Sequence, residues 1–415
     1  MPALKDNTRI PRKIHLQNRA RHTLKLVTFS ILGLSLFSSL AHASDVYFVT
    51  QNDGGFGFSG KYDQIKKLYP LAYIVSSSSA FKKDLLNHVM NSQPTAFNLK
   101  INKLSNHDKT YGRSIVLAMV LDGETESIEK YKVNASNVYK MDMQLHAETI
   151  FFDYARKTII ASVPISEQYI DTLDHYPTSA DAEEGVRQAL YLDPGNNLVS
   201  RFADSIHTEV LPKGIVKFVQ VTKVKVSSRA MTSISNHPEM GWLDKDIAKK
   251  DVANQFSSAV EGIAKIPLEP YTIGSSTGKM AVAFSEDSAY NFTLPKPSYE
   301  IHLTLLGFKN VPYKSNPSGY SQIYGAFVHV KMLDSLVNKI YMNATFKNGV
   351  VKLIPKTQVT VAAGPAYLAA LRGLFMKFAT GLDNPHYKWI HSATTADNIQ
   401  QMLVNTQKAL ESCKI

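Results

Sequence analysis

The sequence predicts an α+β protein with two modules, each of them a helix followed by a mainly antiparallel sheet. Apolar residues recur at positions i, i+4 and i+8 in two separate stretches, which is the spacing of one helix face. Each stretch is followed by runs in which apolar and polar residues alternate and which end at turn signals, as in antiparallel strands with one buried face. The chain has 415 residues, of which 44% are hydrophobic, enough to bury sizeable cores.

The order of elements divides the chain into five segments. Both modules have the same order, and in each an Asp leaves a long strand and a Lys enters the next one. A duplication and a coincidence of turn chemistry both explain this pattern. We predict a signal peptide at 1–43, a first α+β module at 44–175, a helical linker at 176–212, a second α+β module at 213–356 and a C-terminal helical segment at 357–415.

The first 43 residues have the three parts of a secretory signal. A basic head precedes an apolar stretch at 26–40, and Ala41-His42-Ala43 offers small residues for cleavage before Ser44. The stretch is shorter than the roughly twenty residues of a spanning helix, and four serines interrupt it. We therefore predict a periplasmic or secreted protein with no transmembrane span in the mature chain. A retained anchor is the alternative.

Charge and cysteine content narrow the classes of partner. The formal net charge is +11, but it falls to +5 without the seven basic residues and one acidic residue of the first 43. The remaining basic residues are scattered and form no phosphate-binding stripe, so we expect no nucleic-acid binding. Cys413 is the single cysteine, which excludes an internal disulfide and leaves no thiol at the cleavage site for a lipid. Envelope proteins are the partners we expect.

The first module begins with a helix and two strands. A short strand is predicted at 97–101. An apolar run at 114–121 ends at Asp122-Gly123, a dipeptide typical of tight turns, so we predict that the strand ends there. The apolar face of the helix consists of Phe81, Leu85 and Val89.

A long strand at 138–152 follows, and the chain turns at 153–157 into a strand at 158–165. Apolar residues such as Met141 alternate with polar ones along the long strand, so one face should be buried and the other exposed to water. The residues expected on the exposed face are Asp142, Gln144, His146 and Glu148.

The second module has longer strands, predicted at 215–226, 299–308, 323–333 and 340–346. The dipeptide Asn348-Gly349 predicts another tight turn, into a strand at 350–354. The apolar face of the helix in this module consists of Val252, Phe256 and Val260.

Helices are also predicted in the linker and at the C-terminus. Asp181 begins an acidic start that suits a helix N-terminus. Two further helices are expected at 365–379 and 397–411. The last one either docks on its own domain or binds a partner, through a face formed by Ile399, Leu403 and Leu410.

Two short motifs have the spacing of a cofactor site and a metal site, but the other residues that such sites require are missing. The segment 55–60 (GFGFSG) has the spacing of a dinucleotide-binding loop, yet no acid follows about twenty residues later for the ribose. We predict an aromatic-bearing surface loop instead. His146-Ala147-Glu148 has the spacing of a zinc-deaminase motif, but no paired cysteines complete a metal shell. We expect no cofactor and no metal.

One motif offers a catalytic hypothesis. A nucleophile elbow would place Ser276 beside an acid, Asp334 or Asp383, and a base, His386 or His391. The segment before it contains a proline and an acid, and no oxyanion segment lies upstream, so a Ser/Gly turn before a helix-like 279–284 is the alternative. The elbow pattern is Gly274-Ser275-Ser276-Thr277-Gly278.

The segment 297–301 (PSYEI) begins a long strand and keeps the tyrosine of a motif written roughly Ala-Asp-Tyr-x-Leu-x-Gly. In this respect the segment 215–350 resembles the periplasmic α+β module of the curli-secretion pore subunit and the TolB amino-terminal domain. The segment 80–165 resembles it more faintly. The Ala-Asp pair is replaced here, and the lipid-anchor cysteine of the curli subunit is missing. The resemblance implies a protein-binding or assembly role in the envelope, with no catalytic residues.

The sequence therefore predicts an exported, non-enzymatic binding or scaffold component of the bacterial cell envelope, with no catalytic, cofactor or metal residues assigned. A secreted serine hydrolase using Ser276 is the first alternative. The second is a binder of small molecules or polysaccharide that uses the many tyrosines, and Trp242 or Trp389 would report its ligand.

Overall fold

The protein has an α+β fold with two mixed sheets, as the sequence predicts. No helix among the residues described in this computed structural model is both long enough and apolar enough to cross a membrane. The predicted signal peptide with its cleavage site, and the predicted elbow around Ser276, lie outside the described residues. These residues are 45–49, 55–101, 115–133, 136–211, 217–242, 244–272, 279–284, 289–356, 358 and 361–413.

The described strands are, in chain order, β1 (Asp45–Phe48), β2 (Gly55–Ser59), β3 (Asn98–Ile101), β4 (Ile115–Val133), β5 (Ser136–Asp153), β6 (Thr158–Leu173), β7 (Val219–Val226), β8 (Lys279–Ala283), β9 (Ala289–Thr293), β10 (Tyr299–Asn316), β11 (Gly319–Asp334) and β12 (Ile340–Pro355).

The described helices are α1 (Tyr62–Leu68), α2 (Pro70–Ser76), α3 (Ser79–Asn91), α4 (Ser179–Arg187), α5 (Leu198–Thr208), α6 (Ser228–Ser235), α7 (Lys245–Ala259), α8 (Gly364–Asp383), α9 (Trp389–Ala393) and α10 (Ile399–Glu411). Helices α4 and α7 continue into π-helical turns at Gln188–Leu192 and Val260–Ala264, and a 3₁₀ turn spans Pro238–Met240.

The first sheet has the order β2-β8-β9-β6-β5-β4-β1-β3, and β2 also pairs with β4. Six of its strands therefore form a ring, whose weakest seam is the single pair Thr158–Thr293 between β6 and β9. Apolar side chains such as Phe152 and Phe292 fill the ring. The opposite face of the sheet is covered by α1 to α5. Phe81 and Phe202 belong to the core on that side.

Two predictions on the ring strands were wrong. The segment 279–284, expected to be helix-like, supplies β8, whose Met280 and Val282 are buried in the ring. The segment 55–60, expected to be a surface loop, supplies β2. A Cβ on Gly57 would lie 2.7 Å from Cδ1 of Phe284. That glycine thus permits close strand packing and does not approach a ligand phosphate.

The second sheet has the order β12-β11-β10-β7. Strands β10, β11 and β12 are antiparallel, and β7 runs parallel to β10. Tyr299, Ile301, Leu303 and Leu305 of β10 are buried, as their alternation predicts. They pack with α7, α8 and α10 in one large apolar core.

Two dipeptides predicted as tight turns lie inside continuous strands. Asp122-Gly123 forms a bulge in β4, which runs on to Val133. Asn348-Gly349 lies within β12. The buried side chain of Asn348 donates to the carbonyl of Ala370 at 3.0 Å and accepts from Lys377 at 2.8 Å. Strand pairing and buried hydrogen bonds therefore override the local preference for a turn.

The helices predicted outside the modules pack on the sheets. Helix α4 begins at the predicted acidic start, and a capping box closes it, with Thr178 accepting from Asp181 N and Asp181 accepting from Thr178 N. Val186 of α4 belongs to the core that covers the first sheet. The apolar face of α10, with Leu403, belongs to the core of the second sheet, so this helix docks on its own chain. The five predicted segment boundaries stay predictions.

Candidate functional site

A cleft of about 510 Å³ lies between the first sheet and α7. This volume is within the range of small-molecule sites, roughly 300–1,000 Å³. Its walls come from the junction of α1 and α2, the part of β4 after the bulge, the beginning of α4, the turn around Pro238 and one side of α7. Ile128 and Ile247 give it apolar surface, and Tyr176, which is 64% exposed, stands at its edge.

The bulge in β4 determines which side chains reach the cleft. The register with β5 shifts between Leu121 and Gly123, and Gly123 lies opposite His146. A Cβ on Gly123 would lie 3.1 Å from Cβ of His146, so this position favours glycine. After the bulge, Glu124 and Glu126 pair with residues of β5 that face the helices. Two acids consequently lie on a face that is apolar elsewhere.

Glu124 closes one end of the cleft against the N-terminus of α2. Its carboxylate accepts from the backbone N–H groups of Leu71 at 3.1 Å and Ala72 at 2.8 Å. Pro70 occupies the first position of that helix and offers no N–H. Burial nevertheless raises the pKa of Glu124 to about 7, opposed by the two N–H groups and reinforced by the charge of Glu126.

Glu126 lies two residues further along the same strand face and also lines the cleft. Burial raises its pKa above the ordinary glutamate value. Among the described residues its side chain has no hydrogen-bond or ion-pair partner. Glu126 is therefore a partly buried carboxylate that faces the cleft and pairs with neither of the lysines that line it, Lys67 and Lys250.

Lys250 of α7 also lines the cleft but is already engaged. Its Nζ donates to the hydroxyl of Tyr69 at 2.8 Å, and that hydroxyl donates to the carbonyl of Ser59 at 2.7 Å. Burial lowers the pKa of Lys250, but Tyr69, Asp122 and Glu148 outweigh this effect and the pKa is raised. The positive charge of Lys250 therefore interacts with the buried acids Asp122 and Glu148 below the cleft.

Asp122 is buried at the bulge, where the Nδ2 of Asn254 donates to its Oδ2 at 2.8 Å. Burial raises the pKa of Asp122, although Lys250, His146 and Asn254 act in the opposite direction. The Asp-Gly dipeptide therefore anchors α7 to the first sheet, where the sequence predicted a turn.

The polar face of β5, expected to be exposed to water, is buried as well. Asp142, Gln144, His146 and Glu148 are all at least 92% buried. At His146 the cover is α7, whose Asp251 Oδ1 lies 3.4 Å from Nε2 of His146. Asp142 instead accepts from Gln168 of β6, which in turn accepts from Arg372 of α8.

Asp251 holds this polar layer together. It accepts from Nε1 of Trp242 at 2.8 Å and from Nε2 of Gln255 at 2.7 Å. Trp242 is only 4% exposed, so it is a core residue. It lies away from any surface on which a polysaccharide could stack.

Further acids are buried behind the cleft. Ser162 donates to Glu148 at 2.5 Å, and burial, followed by the charge of Asp122, raises the pKa of Glu148 well above its ordinary value. Burial alone raises the pKa of Glu269 to about 8 and that of Glu209 to about 7. The charges of Asp122 and Glu269 both act on Glu148, so these three buried acids lie close to one another.

The partners suggested for Ser276 do not form a catalytic pair. Asp334 accepts from backbone N–H groups of its own turn, and His386 contacts Gln400 at 2.6 Å. No hydrogen bond or ion pair joins Asp334, Asp383, His386 and His391 to one another in the described part of the chain. Within the same residues, no group of three or more His, Cys, Asp or Glu is arranged to hold a metal ion. The hydrolase hypothesis stays untested, because Ser276 is outside the described residues.

Sequence reasoning missed the acids of the cleft because it ended β4 at Asp122. A signal was present, since Thr125, Ile128, Tyr131 and Val133 continue a pattern with high strand propensity beyond the dipeptide. No local sequence pattern identifies Lys250 and Asp251, because the contacts of Lys250 with Tyr69 and of Asp251 with His146 join residues distant in sequence.

Comparison with known proteins finds weak structural likeness. No protein-family model matches the chain, and no curated protein matches it. A Xanthomonas campestris protein of the DUF330 family is 11% identical over 48% of this chain and 90% of its own, with a TM-score of 0.21. A hypothetical protein from Chlamydia trachomatis is 11% identical over 40% of this chain and 96% of its own, with a TM-score of 0.23.

A third structure, a Helicobacter pylori homologue of neuraminyllactose-binding hemagglutinin, is 11% identical over 45% of this chain and 96% of its own, with a TM-score of 0.23. Likeness at this level carries no argument about function. None of the three is described as a curli-secretion or TolB protein, so that resemblance stays a prediction.

Proposed function

We propose that this protein is a non-enzymatic ligand-binding component of the bacterial cell envelope, and that its cleft takes a ligand with a positively charged organic group. The observation that carries the proposal is Glu126, a partly buried carboxylate that lines the cleft beside Glu124 and has no partner among the described residues.

Electrostatics favours a cation at this position. The raised pKa values of Glu124 and Glu126 mean that the free site resists holding two negative charges. A cation within about 4–6 Å of a carboxylate favours the ionised form, so a bound ammonium or guanidinium group would lower both pKa values. Lys250 cannot fill this role, because Tyr69 and the buried acids already engage it.

The walls of the cleft suit the rest of such a ligand. Ile128 and Ile247 offer apolar contact, and Tyr176 at the edge can place an aromatic ring over a cation. This combination fits an amine or guanidinium group on an apolar body, such as a modified polyamine or a short basic peptide. Location in the envelope is supported by the predicted signal at 1–43.

Calorimetric titration of the purified protein tests the proposal. The probes are spermidine, arginine amide and a Lys-Leu dipeptide, each paired with an uncharged analogue of similar size. We expect binding of at least one cationic probe and about tenfold weaker binding after Glu126→Gln, consistent with the loss of one partly buried charge pair. Glu411→Gln on the exposed side of α10 is the matched control and should bind as the wild type does.

Equal affinity for charged and uncharged probes would contradict the cationic ligand. If Glu126→Gln changed the binding of none of the probes, this result would contradict the assignment of the cleft as the binding site. A pH series adds a second readout, because a cation that binds ionised Glu124 should bind more weakly as the pH falls below about 7.

A further inference from the structure

We propose that the turn between β11 and β12 inserts its apolar residues into an anionic lipid surface. Leu336, Val337 and Ile340, here called the apolar tip, are 79%, 70% and 50% exposed. Single exposed apolar residues are ordinary on protein surfaces, but a group of three at the end of a hairpin is not. The tip lies at the opposite end of β11 from the turn at Asn316 and belongs to no part of the cleft.

The turn does not need apolar residues at these positions. The Oδ1 of Asp334 accepts from the N–H groups of Leu336 at 2.8 Å and Val337 at 3.0 Å, and Asn338 adopts a left-handed conformation with φ of 55°. These two polar residues define the turn by well-known side-chain preferences. Leu336 and Val337 contribute only backbone N–H groups, which serine would supply equally well. Their apolar side chains therefore point to a contact outside the chain.

Basic residues surround the apolar tip. Lys339 lies within it, with its Nζ 4.9 Å from the ring centroid of Tyr341, and Lys217 lies 5.9 Å from the ring centroid of Tyr299. Backbone N–H groups, followed by the charges of Lys217 and Lys339, lower the pKa of Asp334, which places both lysines near the turn.

A third lysine, Lys296, is exposed and lies two residues before Ser298. The carbonyl of Ser298 accepts a hydrogen bond from the backbone N–H of Ser335 in the turn at 2.9 Å. Aliphatic side chains at a tip with lysine and tyrosine around them are typical of proteins that bind anionic membrane surfaces.

The size of the apolar tip favours a lipid surface over a protein partner. A stable protein interface buries roughly 1,200–2,000 Å² in total, far more than three aliphatic side chains on a protruding turn can provide. A bilayer accepts a small insertion and adds long-range attraction to lysine. The turn between β10 and β11, by contrast, carries Asn316 and Ser318, and Asn316 accepts from two N–H groups there. That turn has no counterpart of the apolar tip, although Tyr313, Tyr320 and Leu353 are exposed on the strands near it.

Co-sedimentation of the purified protein with vesicles tests this inference. One vesicle preparation contains about one third phosphatidylglycerol, and the other contains phosphatidylcholine alone. We expect binding to the anionic vesicles at low salt, with affinity reduced at least tenfold by the double substitution Leu336→Ser and Val337→Ser. Ser318→Asp at the opposite turn is the control and should bind as the wild type does. Thermal unfolding of each variant checks that the fold is unchanged.

A second variant reports insertion directly. Tryptophan at position 336, introduced by Leu336→Trp, should shift its emission to shorter wavelength with anionic vesicles and remain unshifted with neutral ones. Equal binding of the double-serine variant and the wild type would overturn the inference. So would an unshifted emission from Leu336→Trp, or sedimentation independent of phosphatidylglycerol.

Discussion

Strands β5 and β10 have the same alternation of apolar and polar residues but different surroundings. In β10, Tyr299, Ile301, Leu303 and Leu305 are buried while the intervening side chains remain partly exposed. In β5 both faces are buried, and the polar one contacts α7. Alternation therefore shows which residues share a face, but it does not show whether water covers that face.

Helix α7 explains the difference, because it has a role in both halves of the molecule. Val252 and Phe256 belong to the apolar core of the second sheet. Lys250, Asp251 and Asn254 contact the acids and histidine of the first. The first sheet is thus held to this helix by charge and hydrogen bonding, whereas the second is held by apolar packing. Changes in charge or pH should act mainly on the first contact.

The largest effect is expected from removal of the positive charge in the polar layer. Lys250→Met leaves Asp122 and Glu148 without their nearby cation, and breaking a buried pair in this way costs about 3–5 kcal/mol. The free energy of unfolding at pH 8, measured in denaturant, should fall by that amount, and by less as the pH is lowered, because burial raises the pKa of both acids and their protonation removes the charge pair. Lys249→Met, beside it on α7, should change the free energy by less than about 0.5 kcal/mol. Equal losses for the two variants would show that the polar layer contributes no stability.

A second effect is expected from pH alone. Burial raises the pKa of Glu269 to about 8 and those of Glu124 and Glu209 to about 7. Because the folded state holds these protons more tightly than the unfolded chain, their contribution is complete below about pH 4.5 and is lost as the pH rises through 7 and 8. Unfolding free energy should therefore decrease from pH 5 to pH 8.5.

Glu269→Gln removes one of these groups while keeping its shape. The fall in unfolding free energy between pH 5 and pH 8.5 should become smaller by about 2–4 kcal/mol. Asp397→Asn at an exposed position is the control and should leave the pH profile unchanged. A profile for Glu269→Gln that coincides with the wild type would mean that this carboxyl has access to water.

The smallest effect is expected in the second sheet, which packs on α7 through apolar side chains. Asn348→Ala removes the hydrogen bonds to Ala370 and Lys377, which should cost about 1–3 kcal/mol at any pH between 5 and 8. Asn343→Ala on the exposed face of β12 should cost less than about 0.5 kcal/mol. A strong pH dependence of the Asn348→Ala effect would contradict the contrast between the two sheets.

Periodicity predicted the elements whose partners are apolar. The faces of Phe81, Leu85 and Val89 in α3 and of Ile399, Leu403 and Leu410 in α10 are buried as expected. A helix face of this kind needs only an apolar surface opposite it, and many arrangements of the chain provide one.

Local turn signals failed where distant residues compete with them. Asp122-Gly123 and Asn348-Gly349 have the composition of tight turns, yet long strand pairing and buried hydrogen bonds keep both inside strands. The candidate site depends on the first of these departures. Its acids could not be grouped from sequence, because Glu124 meets the N-terminus of α2 and Asp122 meets α7 only after the chain has folded.

The ring of the first sheet has a consequence for biosynthesis. Strands β4, β5 and β6 end by residue 173, but the hairpin that completes the ring comes from residues 279–293. A nascent chain must therefore hold a half-built apolar interior until more than a hundred further residues have been translated. Chaperone binding during this interval should concentrate on the uncovered surface around Phe152, and truncation before residue 293 should yield an aggregation-prone product.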